Sequence, residues 1–174
     1  MSGLRKKLKA EDNTMPFVLG VTDSETVKLD FDNTKFKTVL YWALRTMKWF
    51  RLKGFIIFKS SKNHYHVVFD RKVSWKENVK IMAWVSLLSQ HKALTKWFLL
   101  QCIKQASTLR VSPKRKKPMP RIVYRYGSQE NQIAEFLAYR NIIKGIIAKL
   151  KNTKQIPIPM QTLLEVNTYE RGKA

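Results

Sequence analysis

Apolar positions along the chain switch between a period of two and a period near 3.6, and the switches mark out its elements. FVLGVT (17–22) and VKLDF (27–31) read as short strands separated by the polar turn DSET. From Thr34 to Arg51 the spacing turns helical, with Phe36, Val39, Leu40, Ala43, Leu44, Met47 and Phe50 on one face. GFIIFKS (54–60) and HYHVVF (64–69) are strong strands around the turn SKN, so 54–69 predicts a hairpin. Ser74 to Ser107 is mostly helix, opened by a capping box of Ser74 and Glu77 and divided into two near Gln90 and His91. TLRVS (108–112) and PRIVYRY (120–126) read as strands joined by the hairpin loop PKRKKPM. A last helix, Gln129 to Lys151, carries Ile133, Phe136, Leu137, Ile143, Ile146, Ile147 and Leu150 on its apolar side.

The order is therefore β-β-α-β-β-α-α-β-β-α. Hairpins separated by helices predict an α+β domain, with a mostly antiparallel sheet and helices on one face. The domain spans 16–151, after a loose basic arm (1–15). An extended tail (152–174) follows, where Pro157 and Pro159 prevent helix. No internal repeat is present.

Composition fits a folded domain, with 44% apolar residues and 11% aromatic. The single cysteine, Cys102, excludes a disulfide framework and reads as a buried core thiol. There is no apolar run long enough for a membrane span and no secretory h-region, so a cytoplasmic or nucleoid-associated protein is expected.

Charge changes the picture most. Lys plus Arg number 34 against 12 Asp plus Glu, a formal net charge of +22. A compact body so charged repels itself until a polyanion neutralises it, and DNA or RNA also returns condensed counterions to solution. No acid occurs from Asn78 to Gln129, a stretch that holds Lys80, Lys92, Lys96, Lys104, Arg110, Lys114, Arg115, Lys116, Lys117, Arg121 and Arg125. Ordinary surfaces intersperse both signs, so this stretch predicts a nucleic-acid surface with the loop Lys114–Lys117 at its centre. On strand 120–126, Arg121 and Arg125 share one face, and Tyr124 and Tyr126 serve either base stacking or simple packing.

Two pairs of side chains carry candidate chemistry. Asp30 and Asp32 in LDFDNT point to one face of a strand end, where two carboxylates repel unless a cation lies between them. Such a pair holds magnesium or manganese for phosphate chemistry, whereas Asp32-Asn33-Thr34 alone could also cap the next helix. His64 and His66 likewise share a face, as metal ligands, as phosphate contacts or as exposed edge-strand residues.

Together these residues resemble the catalytic core of archaeo-eukaryotic primases and primase-polymerases. That family has an Asp-x-Asp or Asp-x-Glu motif at a strand end, then Ser-x-x-x-x-x-His on a later hairpin strand. Asp30 and Asp32 match the first motif, and Ser60 and His66 the second, with Lys62 between them. The matched part covers roughly the first 70 residues. The resemblance implies an RNA-recognition-like (primase palm-like) fold, divalent metal on Asp30 and Asp32, and nucleoside triphosphate bound by Ser60, Lys62, His64, His66 and Arg110. It implies a replication setting, with a partner subunit as a further expectation. The family's third acid is missing: no Asp or Glu lies between Glu77 and Glu130. Gln101, Gln105 or Asp70 is the expected stand-in, and a non-polymerising binding module is the expectation if none serves. HYHVVF is also similar to the metal strand of His-hydrophobic-His replication initiators and transposases, for which Tyr139 would be the nucleophile.

Overall fold

The computed structural model of the chain describes residues 18–114 and 117–152. The arm and most of the tail lie outside these residues, as do Arg115 and Lys116. Ten elements follow in the expected order: β1 (Gly20–Asp23), β2 (Thr26–Phe31), α1 (Phe36–Trp49), β3 (Gly54–Ser61), β4 (His64–Lys72), α2 (Trp75–Ser89), α3 (Lys92–Lys104), β5 (Ser107–Arg110), β6 (Arg121–Gly127) and α4 (Gln132–Asn152). The class is α+β with antiparallel pairing throughout.

The main sheet has four strands in the order β2-β4-β3-β6, and β1 pairs with β5 in a separate two-stranded ribbon. Because β4 is antiparallel to both β2 and β3, those two run parallel, with α1 as the crossover and β4 inserted between them. This is a split βαβ unit. The expected hairpin around PKRKKP does not form: β5 belongs to the ribbon and β6 to the free edge of β3. Packing explains the choice. On β6, Tyr124 and Tyr126 stack on Phe55 with ring centroids 6.0 and 5.6 Å apart, while Leu109 of β5 enters a different core. DSET forms a turn as expected, although β1 and β2 do not pair across it. Asp23 accepts from the backbone N–H of Glu25 and Thr26, 3.0 and 2.6 Å away, and the Asx turn sends the chain into the other sheet.

Helices cover both faces, not one. The unbroken apolar runs of β3 and β4 leave no face for water. Phe55, Ile57, Val67 and Phe69 pack with α1, α2 and Leu94 of α3, whereas Ile56, Phe58 and Val68 pack with the ribbon and with Ile133 and Phe136 of α4. Ile147 is buried too, but Ile146 is exposed, so the apolar stripe of α4 is narrower than its sequence suggests. Cys102 is half-buried on α3, not a core residue.

A register shift on β6 overturns the expected facing of Arg121 and Arg125. Tyr124 pairs with Ile57 and Ile122 with Phe58, which leaves Val123 as the extra residue of a bulge. Arg125 then lies opposite Ile56 and Arg121 opposite Lys59, on opposite faces of the sheet.

Two buried charges join the layers. The Lys28 ammonium, fully buried, donates to the Asp23 carboxylate and to the Ser107 carbonyl at 3.1 Å, tying β2 to the ribbon. Asp70, fully buried on β4, caps α4 from outside that helix. It accepts from the backbone N–H of Asn131 (2.9 Å), Glu130 (3.1 Å) and Ile133 (3.1 Å), and from the Ser128 hydroxyl. Burial pushes this carboxyl up, but the hydrogen bonds from Ser128, Ile133 and Asn131 outweigh it and hold it below the ordinary carboxylate range. Asp70 is thus spent on structure and is not the stand-in ligand. Asp70→Ala is expected to cost about 3 kcal/mol in urea unfolding at pH 7, since several buried donors lose a charged acceptor. A folded pKa below the unfolded value means that this contribution is present above the unfolded carboxylate pKa. It disappears as pH falls through the folded pKa, so the gap between variant and wild type should close in acid.

Candidate metal centre

The centre forms because two strands end together. In the β2–β4 register Asp30 lies opposite His66 and Phe31 opposite Tyr65. Directly paired residues share a face, so Phe31 and Tyr65 enter the core while Asp30 and His66 point to the other side. Asp30 Oδ1 is 3.6 Å from His66 Nε2. One step outward, Asp32 bonds His64 Nδ1, so the four residues form two carboxylate–imidazole pairs. The inner pair is shielded, with side chains 24% (Asp30) and 7% (His66) exposed. The outer pair opens to solvent, at 52% (Asp32) and 28% (His64).

The loop after β2 is held from two sides. Thr34 N–H donates to the Asn63 carbonyl at 2.8 Å, fastening the loop to the β3–β4 turn. The Thr34 hydroxyl donates to the Asp32 carbonyl at 3.0 Å and lies 2.6 Å from His91 Nε2. His91 Nδ1 accepts from Leu94 N–H at 3.1 Å as the N-cap of α3. With Nδ1 accepting, the proton of a neutral ring sits on Nε2 and is donated to Thr34. His91 and Thr34 were not foreseen as site residues. They are 57 positions apart, and no spacing rule reaches that far.

Cations wall the centre. Arg110, at the end of β5, donates to the carbonyls of Ser112, Pro118 (3.1 Å) and Ser60 (3.4 Å). Lys114 and Lys117 exchange backbone hydrogen bonds of 3.0 and 2.8 Å. Burial, with Asp32 adding, pushes Asp30 up to about 7 against the opposing charges of Arg110 and Lys117. Burial and the Arg110 charge push His66 down to about 3, with Asp32 opposing and His64 adding a smaller downward effect. His66 is therefore a neutral imidazole at physiological pH. Asp30 Oδ1 is buried without a hydrogen-bond partner. A buried, unpartnered carboxylate oxygen beside a second carboxylate fits a divalent cation. Among the described residues, no cluster of three or more His, Cys, Asp or Glu is arranged to hold a metal. An ion here would rely on the two carboxylates, with water and phosphate oxygens completing its shell, as magnesium prefers.

Asp30, Asp32, His64, His66 and Arg110 lie together. Ser60 is buried beside them, but its hydroxyl donates to the His64 carbonyl at 3.4 Å. Lys62 is exposed at the turn. Gln101 and Gln105 do not stand in for the missing acid. Gln101 is buried and accepts from Thr108 N–H at 3.0 Å, while Gln105 ends α3 in a left-handed conformation. Tyr139 lines a groove between α4 and β1 with Val21, Thr22, Asp23 and Ile143, a lining that includes none of the four paired residues. Among the described residues no helix is long and apolar enough to cross a membrane. No family model, no curated protein and no solved structure matches the chain.

The raised Asp30 pKa has a direct consequence. Between the unfolded carboxylate value near 4 and about 7, the folded chain keeps a proton that the unfolded chain releases, so stability falls as pH rises through that window. In chelator, Asp30→Asn should be more stable than wild type at pH 8 by about 1–3 kcal/mol. The two should differ little near pH 4. Urea unfolding at both values checks this, and an equal difference at both would refute it.

Proposed function

We propose that this chain is a nucleic-acid-binding replication protein of the primase-polymerase type, acting where cytoplasmic or nucleoid DNA or RNA is copied. The observation that carries the reading is the meeting of Asp30, Asp32 and His66, from two separated motifs, at one strand end walled by Arg110 and Lys117. The split βαβ arrangement of β2, α1, β3 and β4 supports an RNA-recognition-like, primase palm-like assignment.

Magnesium or manganese held by Asp30 and Asp32 would neutralise phosphate charge in nucleotidyl transfer to a 3′-hydroxyl. Arg110 and Lys117 would hold the triphosphate from the opposite side, with exposed Lys62 reaching it from the turn. Neutral His66 can donate to a phosphate oxygen without adding a charge. His64 orients Asp32, and Ser60 shapes the strand end through its backbone. No acid among the described residues joins the two aspartates, and Arg110 brings a cation to them instead. That supports a single-ion site, with slow incorporation or nucleotide binding alone, and a partner subunit would supply any further group. Tyr139 in its own groove gives the nicking alternative no support.

Primer extension with manganese and nucleoside triphosphates tests the reading. Wild type should extend a primer, and Asp30→Asn and Asp32→Asn should each lose at least about a hundredfold, the usual cost of removing an electrostatic catalytic group. Extension that survives both changes would end the proposal, and a denaturant-stable covalent DNA adduct lost in Tyr139→Phe would favour nicking. Oligonucleotide binding should weaken with salt by about 0.7–0.9 log unit per log unit for each phosphate contact.

A further inference from the structure

The solvent face of α1 takes no part in the centre, yet it is built in an unusual way. Tyr41, Arg45 and Trp49 recur every four residues and form one stripe. Trp49 is 66% exposed, although tryptophan is normally well buried. Its indole lies flat on Trp84 of α2, with centroids 5.7 Å apart and planes at 19°. Trp84 is gripped edge-on by Trp42 (6.1 Å, 81°) and Phe50 (5.4 Å, 90°). The Arg45 guanidinium lies 5.9, 5.6 and 5.8 Å from the ring centroids of Tyr41, Trp42 and Trp84, and donates to the Tyr41 hydroxyl at 2.6 Å. One indole face is thus fixed from behind and the other is open.

Charge narrows the choice of partner. Residues 33–69 contain no Asp or Glu. Lys48, Arg51 and Lys53, all within four residues of Trp49, are exposed, and exposed Lys80 lies one helical turn before Trp84. The acid nearest in α2, Glu77, is engaged by Arg71 at 3.1 Å. A rigid open π-face amid unpaired cations matches a flat, electron-poor ring on an anionic chain, which describes an unpaired nucleotide strand.

We propose that the Trp49–Trp84 platform is a second nucleic-acid site, which stacks an unpaired base on Trp49 while Lys48, Arg51, Lys53 and Lys80 meet the adjoining phosphates. This rests on the nucleic-acid reading above and extends it. The site is independent of metal, and it stands at the far end of α1, about 20 Å along the helix from the Asp32 loop.

The test measures the affinity of the full chain, in chelator, for an oligothymidylate and for an abasic oligonucleotide of equal length. Trp49→Ala should weaken binding to the base-bearing strand about tenfold and leave the abasic strand unchanged. Trp49→Phe should recover part of the loss, which a folding defect would not show. Indole fluorescence of wild type should be quenched by the first strand alone. Equal affinity of Trp49→Ala and wild type for oligothymidylate overturns the platform while leaving the broader reading intact. So does an equal loss for both strands, or a loss confined to anionic lipid vesicles. If wild type binds neither strand, both proposals fall.

Discussion

The pairing register between β2 and β4 is the constraint on which the rest depends. It sets Phe31 against Tyr65 in the core and Asp30 against His66 on the other face. Strand side chains alternate, so a slip of one residue would put a carboxylate and an imidazole into the aromatic core and remove the paired acid and imidazole from the opposite face. Core packing and the chemistry of the centre are therefore one choice. Packing favours the register through the aromatic pair, and the polar pair is carried into place at an electrostatic cost that burial imposes on Asp30. Stability given up at one carboxylate is common where a group waits for a ligand.

Acids are so scarce that their placement is informative. Asp23 neutralises Lys28, Glu25 pairs with Lys72, Glu77 with Arg71, and Asp70 caps α4. Those carboxylates serve the fold and leave the basic surface uncompensated. Asp30 and Asp32 are the ones directed at a cluster with an unpartnered oxygen. The candidate centre and the aromatic platform at the far end of α1 would differ in chemistry as proposed, with coordination at one and stacking at the other. They share a positive field that would draw the same polyanion to both.

Much of the fold was legible because local signals were strong. The continuous apolar runs of β3 and β4, the 3.6 period of α1 and the Ser74–Glu77 cap all act within a few residues. Pairing of β1 with β5 joins residues more than eighty positions apart, and nothing local distinguishes it from a hairpin. The bulge at Val123 is likewise silent in sequence, yet it reverses the facing of Arg121 relative to Arg125. At the centre, the two Asp and two His were visible from period-two spacing alone. Arg110 was visible as a charge, but its approach to Asp30 follows from the ribbon docking. His91 was legible only as a residue near a helix boundary, not as the cap that steadies the Asp32 loop.

The buried Lys28 ammonium bears on how the chain is born. Its partners are Asp23, made a few residues earlier, and Ser107, made 79 residues later. Burial pulls its pKa down while Asp23 pulls it up, so the charge is tolerable inside only once both partners are in place. During synthesis from the N-terminus, the outer side of β2 stays wet until β5 has left the ribosome. The neighbourhood of Asp30 therefore cannot close before β5 is made, and a nascent chain halted before Ser107 would carry every acid of the centre without its finished pocket.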